Sequence, residues 1–394
     1  MTIATVPQRT PSDPIGHLQR RSTRLAFLVA GLAVSAWAPL VPYAKARLAL
    51  DDAWLGLLLL CLGAGSLLAM PVTGLLSARL GCRPVMTGAG ALACLILPCL
   101  ALAGTPLQLG LALFLFGAAI GTLDVAMNIQ AVIVEKASGG ALMSGFHGLY
   151  SVGGALGAGA MSLLLWLGLG PLPAALALAV LVLCVLLFAS RDFLREPDAA
   201  ERDGPLFVLP HGAVVFIGAL CFVVFLAEGA MLDWSALLLT IRTGLAAGQG
   251  GLGYASFAVA MTLGRLTGDR VVRRLGGTRV LLGGGLCAGA GFFLAVQATV
   301  PAVALLGFVL VGLGASNIVP ILFTAAGNQR AMPASLAIGA ISTIGYAGIL
   351  AGPALIGFIA HASSLGVAFA GLGGAMLLVA ASARVAATSH APTP

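Results

Sequence analysis

The chain has 394 residues, of which 20 are Lys or Arg and 13 are Asp or Glu; only 8% are charged, while 60% are hydrophobic. Soluble globular proteins carry about 25% charged residues. The shortfall, with 54 glycines and a mean hydropathy of +1.07, excludes a disordered chain, a collagen-like repeat and a secreted disulfide scaffold. The seven cysteines form no CxxC pair and lie mostly inside apolar runs, so neither a disulfide framework nor a metal site is expected.

Crossing the bilayer hydrocarbon takes about 20 apolar residues as a helix, and long apolar runs without strict alternation favour helices over a barrel. The expected fold class is an all-α membrane protein. Six spans are predicted near 25–43, 53–76, 85–103, 108–133, 141–166 and 172–190. Six more follow near 210–232, 250–268, 279–297, 302–324, 335–360 and 366–383. The longest polar break, Arg191 to Gly204, divides the spans six and six. This sets expected bounds of 1–24 for an N-terminal tail, 25–190 and 210–383 for two six-helix bundles, 191–209 for the linker and 384–394 for a C-terminal tail. Gly81-Cys82-Arg83 recurs as Gly277-Thr278-Arg279 at an offset of 196, as in a parallel repeat of two halves. Ala36-Trp37-Ala38 offers a signal-cleavage site, but cleavage would remove the first span and break the repeat.

With a cytoplasmic N-terminus, seventeen of the twenty basic residues fall on the inside, and only Lys45, Arg47 and Arg242 fall outside. That bias places both termini in the cytoplasm. It also accounts for the net charge of +7 without a nucleic-acid partner.

An ionisable group at bilayer depth costs roughly 2.5–3.5 kcal/mol on insertion scales and is a functional candidate by default. Asp124 lies in the fourth span, within about 5 Å of the midplane at 1.5 Å per residue, with Asn128 one turn on. A proton-binding carboxylate beside an amide that meets solute is one reading; a hydrogen-bonded link between helices is the other. His147, near the start of the fifth span, is placed to meet Asp124 across adjacent helices and titrate near neutral pH, or to serve as a packed donor between helices. Glu228 is expected toward the periplasmic side of the seventh span, as a second protonatable group or as a rim charge paired with Arg242 or Lys45. Tyr150, Asn317, Tyr346 and Trp37 complete the candidates for solute contact, each weighed against simple helix joining. The spacings Gly117-xxx-Gly121, Gly153-xxx-Gly157, Gly285-xxx-Gly289 and Gly348-xxx-Gly352 allow close helix approach and indicate packing rather than mechanism. No P-loop, GxSxG elbow or HExxH pair is present, so no enzymatic activity and no cofactor are expected.

Twelve spans with basic turns after the second and eighth resemble the major facilitator superfamily. Gly74 to Arg83 is similar to its G-x-L-a-D-R-x-G-R-[KR] signature, with departures at Ala78, where the family usually has Asp, and at Cys82. The second half retains Asp269-Arg270. The resemblance implies a cytoplasmic gate at Arg79, Arg83, Asp269 and Arg270, made asymmetric by the missing acid. The stretches Leu123 to Asn128, Ser144 to Gly148 and Ala227 to Trp234, with Gly345 to Gly348 and Gly352-Pro353, resemble a fucose-permease-like bacterial branch. The acid-x-x-x-Asn pattern of the fourth span is similar to that of L-fucose proton symporters, which implies proton coupling at Asp124.

These readings give an expectation of a monomeric secondary transporter of the bacterial inner membrane. It takes up a small polar solute with protons by alternating access and has the lipid bilayer as its other partner. An exporter on the same fold and a non-transporting membrane sensor are the alternatives.

Overall fold

The computed structural model describes residues 16–195, 208–246 and 249–387, and among these every regular element is helical. In the first half, α1 (His17–Ser35) gives way to a 3-10 turn at Ala38–Leu40 and the short α2 (Val41–Arg47), which together make one crossing. It is followed by α3 (Asp52–Leu80), α4 (Cys82–Leu102), α5 (Pro106–Ser138), α6 (Met143–Trp166) and α7 (Pro171–Ser190). The second half contains α8 (Ala213–Thr243), α9 (Leu252–Leu275), α10 (Gly277–Gln297), the broken crossing α11 (Pro301–Ala315) and α12 (Ile318–Asn328), α13 (Ala334–Ala362) and α14 (Leu365–Ala381), closed by α15 (Ala383–Ala387). Twelve transmembrane crossings in two six-helix halves result. Ten helical segments are long and apolar enough to cross a membrane by length and composition alone. The charge-rich α9 and the 17-residue α14 make up the twelve.

Local chemistry sets the ends. Asp51, Thr105 and Ser364 accept hydrogen bonds from the amides of Trp54, Gln108 and Val367, capping α3, α5 and α14. Pro106, Pro171 and Pro301 start helices at the position where no amide donor is needed. The repeat is visible in the backbone: Gly81 (φ 81°, ψ 166°) and Gly276 (φ 79°, ψ 152°) make the same turn, each between two helices in its own half. The offset is therefore 195 rather than the 196 read from Gly81 and Gly277.

Two further expectations change. The seventh span runs to Thr243 rather than 232, because Asp233 and Trp234 do not end a helix; Gly244, at φ 68°, does. Likewise α1 begins at His17, so the tail bounded at 24 is helical in its last third. The remaining parts of both tails and of the 191–209 linker lie largely outside the described residues.

Lipid supplies no hydrophobic drive between helices, so packing falls to small residues that let backbones meet. The four predicted glycine pairs all occupy such seams. Gly117 and Gly121 face Leu62 and Ser66 of α3; Gly153 and Gly157 face Leu28 and Leu32 of α1. Gly285 and Gly289 face α14 at Met376 and Gly373, while Gly348 faces Phe222 of α8. A Cβ on Gly117 would stand 1.9 Å from the Leu62 carbonyl oxygen, a separation no side chain can occupy.

Polar bonds fasten the first half at its two ends. Gln130 of α5, fully buried, donates to Thr23 of α1 at 3.0 Å and accepts from the Leu194 amide at 3.1 Å, which ties the chain after α7 to the bundle. At the other end Arg47 donates to the carbonyls of Leu100, Ala101 and Ala103, where α4 leaves three acceptors without helical partners. The halves meet along α3 and α13, where Gly74 lies against Ser335, and along α6 and α9, where Gly148 lies against Leu266.

Candidate functional site

Three helices of the first half and four helical segments of the second contribute polar side chains to the interior. On α5, Asp124 is half-buried two residues past the helix centre, and Asn128 is fully buried. The Asn128 Nδ2 donates to the Asp124 carbonyl at 2.9 Å and lies 3.5 Å from its Oδ1, while the amide oxygen has no partner. The i, i+4 spacing brings the pair together as expected.

On α6, Tyr150 lies within electrostatic reach of Asp124, Glu228, Arg265 and Tyr346. Tyr346 of α13 lies near the Ser66 side chain of α3 and within electrostatic reach of Asp124. Tyrosines from both halves thus lie within electrostatic reach of Asp124. His147 is placed otherwise. Its ring sits between Phe27 of α1, at 5.2 Å between centroids, and Phe323 of α12, at 5.8 Å, and its Nε2 has no partner. The expected meeting with Asp124 does not occur, because the glycine seam of α6 packs it against α1 rather than α5.

Glu228 is the largest correction. It stands at the centre of the 31-residue α8, not toward its rim, and its partner is neither Arg242 nor Lys45. Arg265 of α9 donates from Nη2 to Glu228 Oε1 at 3.1 Å, from Nη1 to Ser151 Oγ of α6 at 3.1 Å, and from Nε to the Ser316 carbonyl at 3.4 Å. Arg265 is only 7% exposed. One guanidinium thus joins a carboxylate and a carbonyl of its own half to a hydroxyl of the other. Breaking such a buried pair by removing one partner leaves an uncompensated charge, which makes its members interdependent.

The Ser316 carbonyl is available for a chemical reason. Residue 320 is a proline and has no amide hydrogen to close the usual turn, so the crossing breaks at Ser316–Asn317. Asn317 spends its amide hydrogens on the Gly264 carbonyl at 3.2 Å and Ser316 Oγ at 2.9 Å, with its oxygen left unpartnered. It fixes the broken crossing against α9 as well as offering a free acceptor. Trp37 is buried at the α1 break and its indole nitrogen has no partner; none of the site's hydrogen bonds reaches it.

Arg265 is one of the seventeen inside charges of the sequence pattern, although it falls within the predicted 250–268 span. Its position at mid-helix reduces that count to sixteen. The sequence signal was an arginine inside a span, followed 55 residues later by a proline inside another.

Toward the basic end, cross-half ties surround a cavity of about 730 Å³ lined by Glu135, Lys136, Ser144, Arg273, Thr324 and Asn328 among others. Asp269 accepts from the Gly145 amide at the start of α6 at 3.0 Å, and Arg273 donates to the Ala141 carbonyl at 2.9 Å. Glu135 accepts from the amides of Leu142 and Met143, both at 2.7 Å, and from the Thr324 hydroxyl of the other half; Lys136 donates to the Gly327 carbonyl. Of the four predicted gate residues, Asp269 makes a cross-half bond. Arg79 and Arg270 are exposed, and the Arg83 backbone bonds to Leu194 within its own half. Glu135, Lys136 and Arg273 were missed, since charges at helix ends look alike until the tertiary contacts select among them.

A family model described as Major Facilitator Superfamily matches residues 25–334. The chain belongs to that superfamily. An uncharacterized MFS-type transporter of Yersinia pestis is 62% identical over 94% of this chain and 96% of its own length. Among solved structures, the E. coli fucose:proton symporter FucP superposes with a TM-score of 0.75 at 15% identity, over 95% of this chain and 98% of its own. The proton:xylose symporter XylE gives 0.73 at 14% identity, over 95% and 96%. The protein is a multi-pass major facilitator transporter with a fucose-permease-like fold.

Proposed function

We propose that this transporter is a proton-coupled symporter of a small polar, sugar-like solute, working by alternating access in the bacterial inner membrane with both termini and the basic end cytoplasmic. The observation that carries the reading is the half-buried carboxylate of Asp124 at mid-helix. It lies beside an amide with a free acceptor and within electrostatic reach of two tyrosines contributed by opposite halves. A group so placed changes its surroundings when the halves rock, which is what coupling a proton to access requires. Asn128, Tyr150, Tyr346 and the free oxygen of Asn317 supply hydrogen-bonding groups suited to a hydroxylated solute. The ties of Glu135, Lys136, Asp269 and Arg273 hold the cytoplasmic side together and must part for inward opening. The positive-inside distribution supports the orientation, and the likeness to fucose and xylose symporters makes a sugar and a proton the first pair to test.

The test is uptake into proteoliposomes under an imposed inward proton gradient, with neutral sugars, sugar acids and amino acids as the panel. Gradient-driven accumulation of one of them, abolished in Asp124→Asn while solute exchange without a gradient persists, is the expected result. Accumulation that ignores the proton gradient, or that survives Asp124→Asn unchanged, overturns the reading.

A further inference from the structure

The interior holds two mid-helix carboxylates, and their partners divide differently between the halves. Glu228 pairs with Arg265, and both lie in the second half, on α8 and α9. Rocking two rigid halves carries a contact within one half along unbroken and separates only contacts between them. The Glu228–Arg265 bond and the Arg265–Ser316 bond therefore persist, while the Arg265–Ser151 bond to α6 is the one that parts. Asp124 is the reverse case. Its own half gives it Asn128 and Tyr150, but Tyr346 comes from α13 of the other half, so its surroundings alternate.

Resting on the proton-symport reading above, we propose that Asp124 alone carries the transported proton, and that Arg265 is a positioning residue that keeps Glu228 ionised through the whole cycle. The charged and titratable groups around each acid fit this division. Asp124 is faced by Tyr150 of α6 and Tyr346 of α13, with no cation in ion-pair contact among the described residues. Glu228 is faced by Arg265 and Tyr254 of α9, Tyr150 of α6 and Cys221 of its own helix. His147 lies within electrostatic reach of Arg265, so a proton placed there would repel the same guanidinium. A carboxylate in low dielectric stays charged when a guanidinium is fixed against it, and takes up a proton when none is. The Ser316 carbonyl, left without an amide donor by Pro320, accepts from the same guanidinium and so gives Arg265 a second contact within its own half.

Two measurements test this without a transported solute. The purified full-length protein in lipid vesicles is titrated while the infrared band of protonated buried carboxyl groups is followed. A titrating band that is absent in Asp124→Asn is expected. Arg265→Gln adds a second band, which Arg265→Lys and the double variant Arg265→Gln with Glu228→Gln do not show. A titrating band that disappears with Glu228→Gln and survives Asp124→Asn overturns the proposal, as does an Arg265→Gln spectrum identical to that of the wild type. The second measurement needs no variant. Dicyclohexylcarbodiimide, which modifies protonated carboxyls in apolar surroundings, is expected to label the Asp124 peptide and leave Glu228 unmodified; an adduct on Glu228 overturns the assignment. Neither readout involves uptake, so failure of the symport reading appears separately, as wild-type vesicles that accumulate no solute under a proton gradient.

Discussion

Asp124 and Glu228 are both mid-helix carboxylates in a bilayer-spanning bundle, yet they are built into the protein in different ways. Glu228 is held by a guanidinium that also reaches a carbonyl and a hydroxyl, so its charge is balanced by a structure spanning α8, α9, α11 and α6. Asp124 has an amide and two phenols for company and no fixed counter-charge. The difference teaches that depth in the membrane identifies a costly residue but not its role. A charge whose counter-ion is fixed in its own half is a structural element, whereas one with no fixed counter-charge and with neighbours from both halves is free to report their relative position.

That contrast can be broken by substitution. Asp124→Asn should have the largest functional effect: proton-driven accumulation in proteoliposomes falls to the level of protein-free vesicles, while thermal stability changes little because no ion pair is lost. Glu228→Gln should do the opposite in part, destabilising the protein by about 3–5 kcal/mol through an unpaired buried guanidinium. Thermal unfolding in detergent checks this, and adding Arg265→Gln should restore much of the lost stability. If the single Glu228 variant unfolds like the wild type, the compensated-pair description is wrong.

Packing variants sharpen the comparison by showing what a purely structural residue does. Gly117→Ala forces a methyl into the Leu62 backbone and should cost about 1–3 kcal/mol, seen as a lower unfolding temperature and poorer recovery on gel filtration, without altering any pH dependence of uptake. The smallest effect is expected from Arg47→Gln, which removes bonds to the carbonyls at the end of α4 from an exposed side chain. Its cost should stay below about 1 kcal/mol, read as a slight increase in hydrogen exchange around residues 100–103.

Much of the fold was legible because lipid imposes simple rules. Apolar run length located the helices, and the glycine pairs marked seams that the structure fills at Gly117, Gly153, Gly285 and Gly348. The sequence and the structure part where a polar residue resembles a membrane boundary. Asp233 and Trp234 look like the close of the seventh span, which places Glu228 toward a rim, whereas the helix continues to the Gly244 cap. Arg265, too, counts as an inside charge only until its place at mid-helix is known. Of the site, Asp124 with Asn128 could be read from i, i+4 spacing, and Tyr346 was proposed from its depth. The isolation of His147 between Phe27 and Phe323 could not be read, because it depends on α6 packing against α1 rather than α5.

The sequence by itself determined that the chain lives in lipid, crosses it twelve times in two related halves and carries very few interior charges. Those are consequences of backbone hydrogen bonding and charge desolvation, which act on each segment separately. Only the tertiary structure decided which charges meet. Arg265 and Glu228 are 37 residues apart, and Arg265 and Ser151 are 114 apart. A guanidinium chooses among distant partners by distance and direction, and these exist only once the helices have packed.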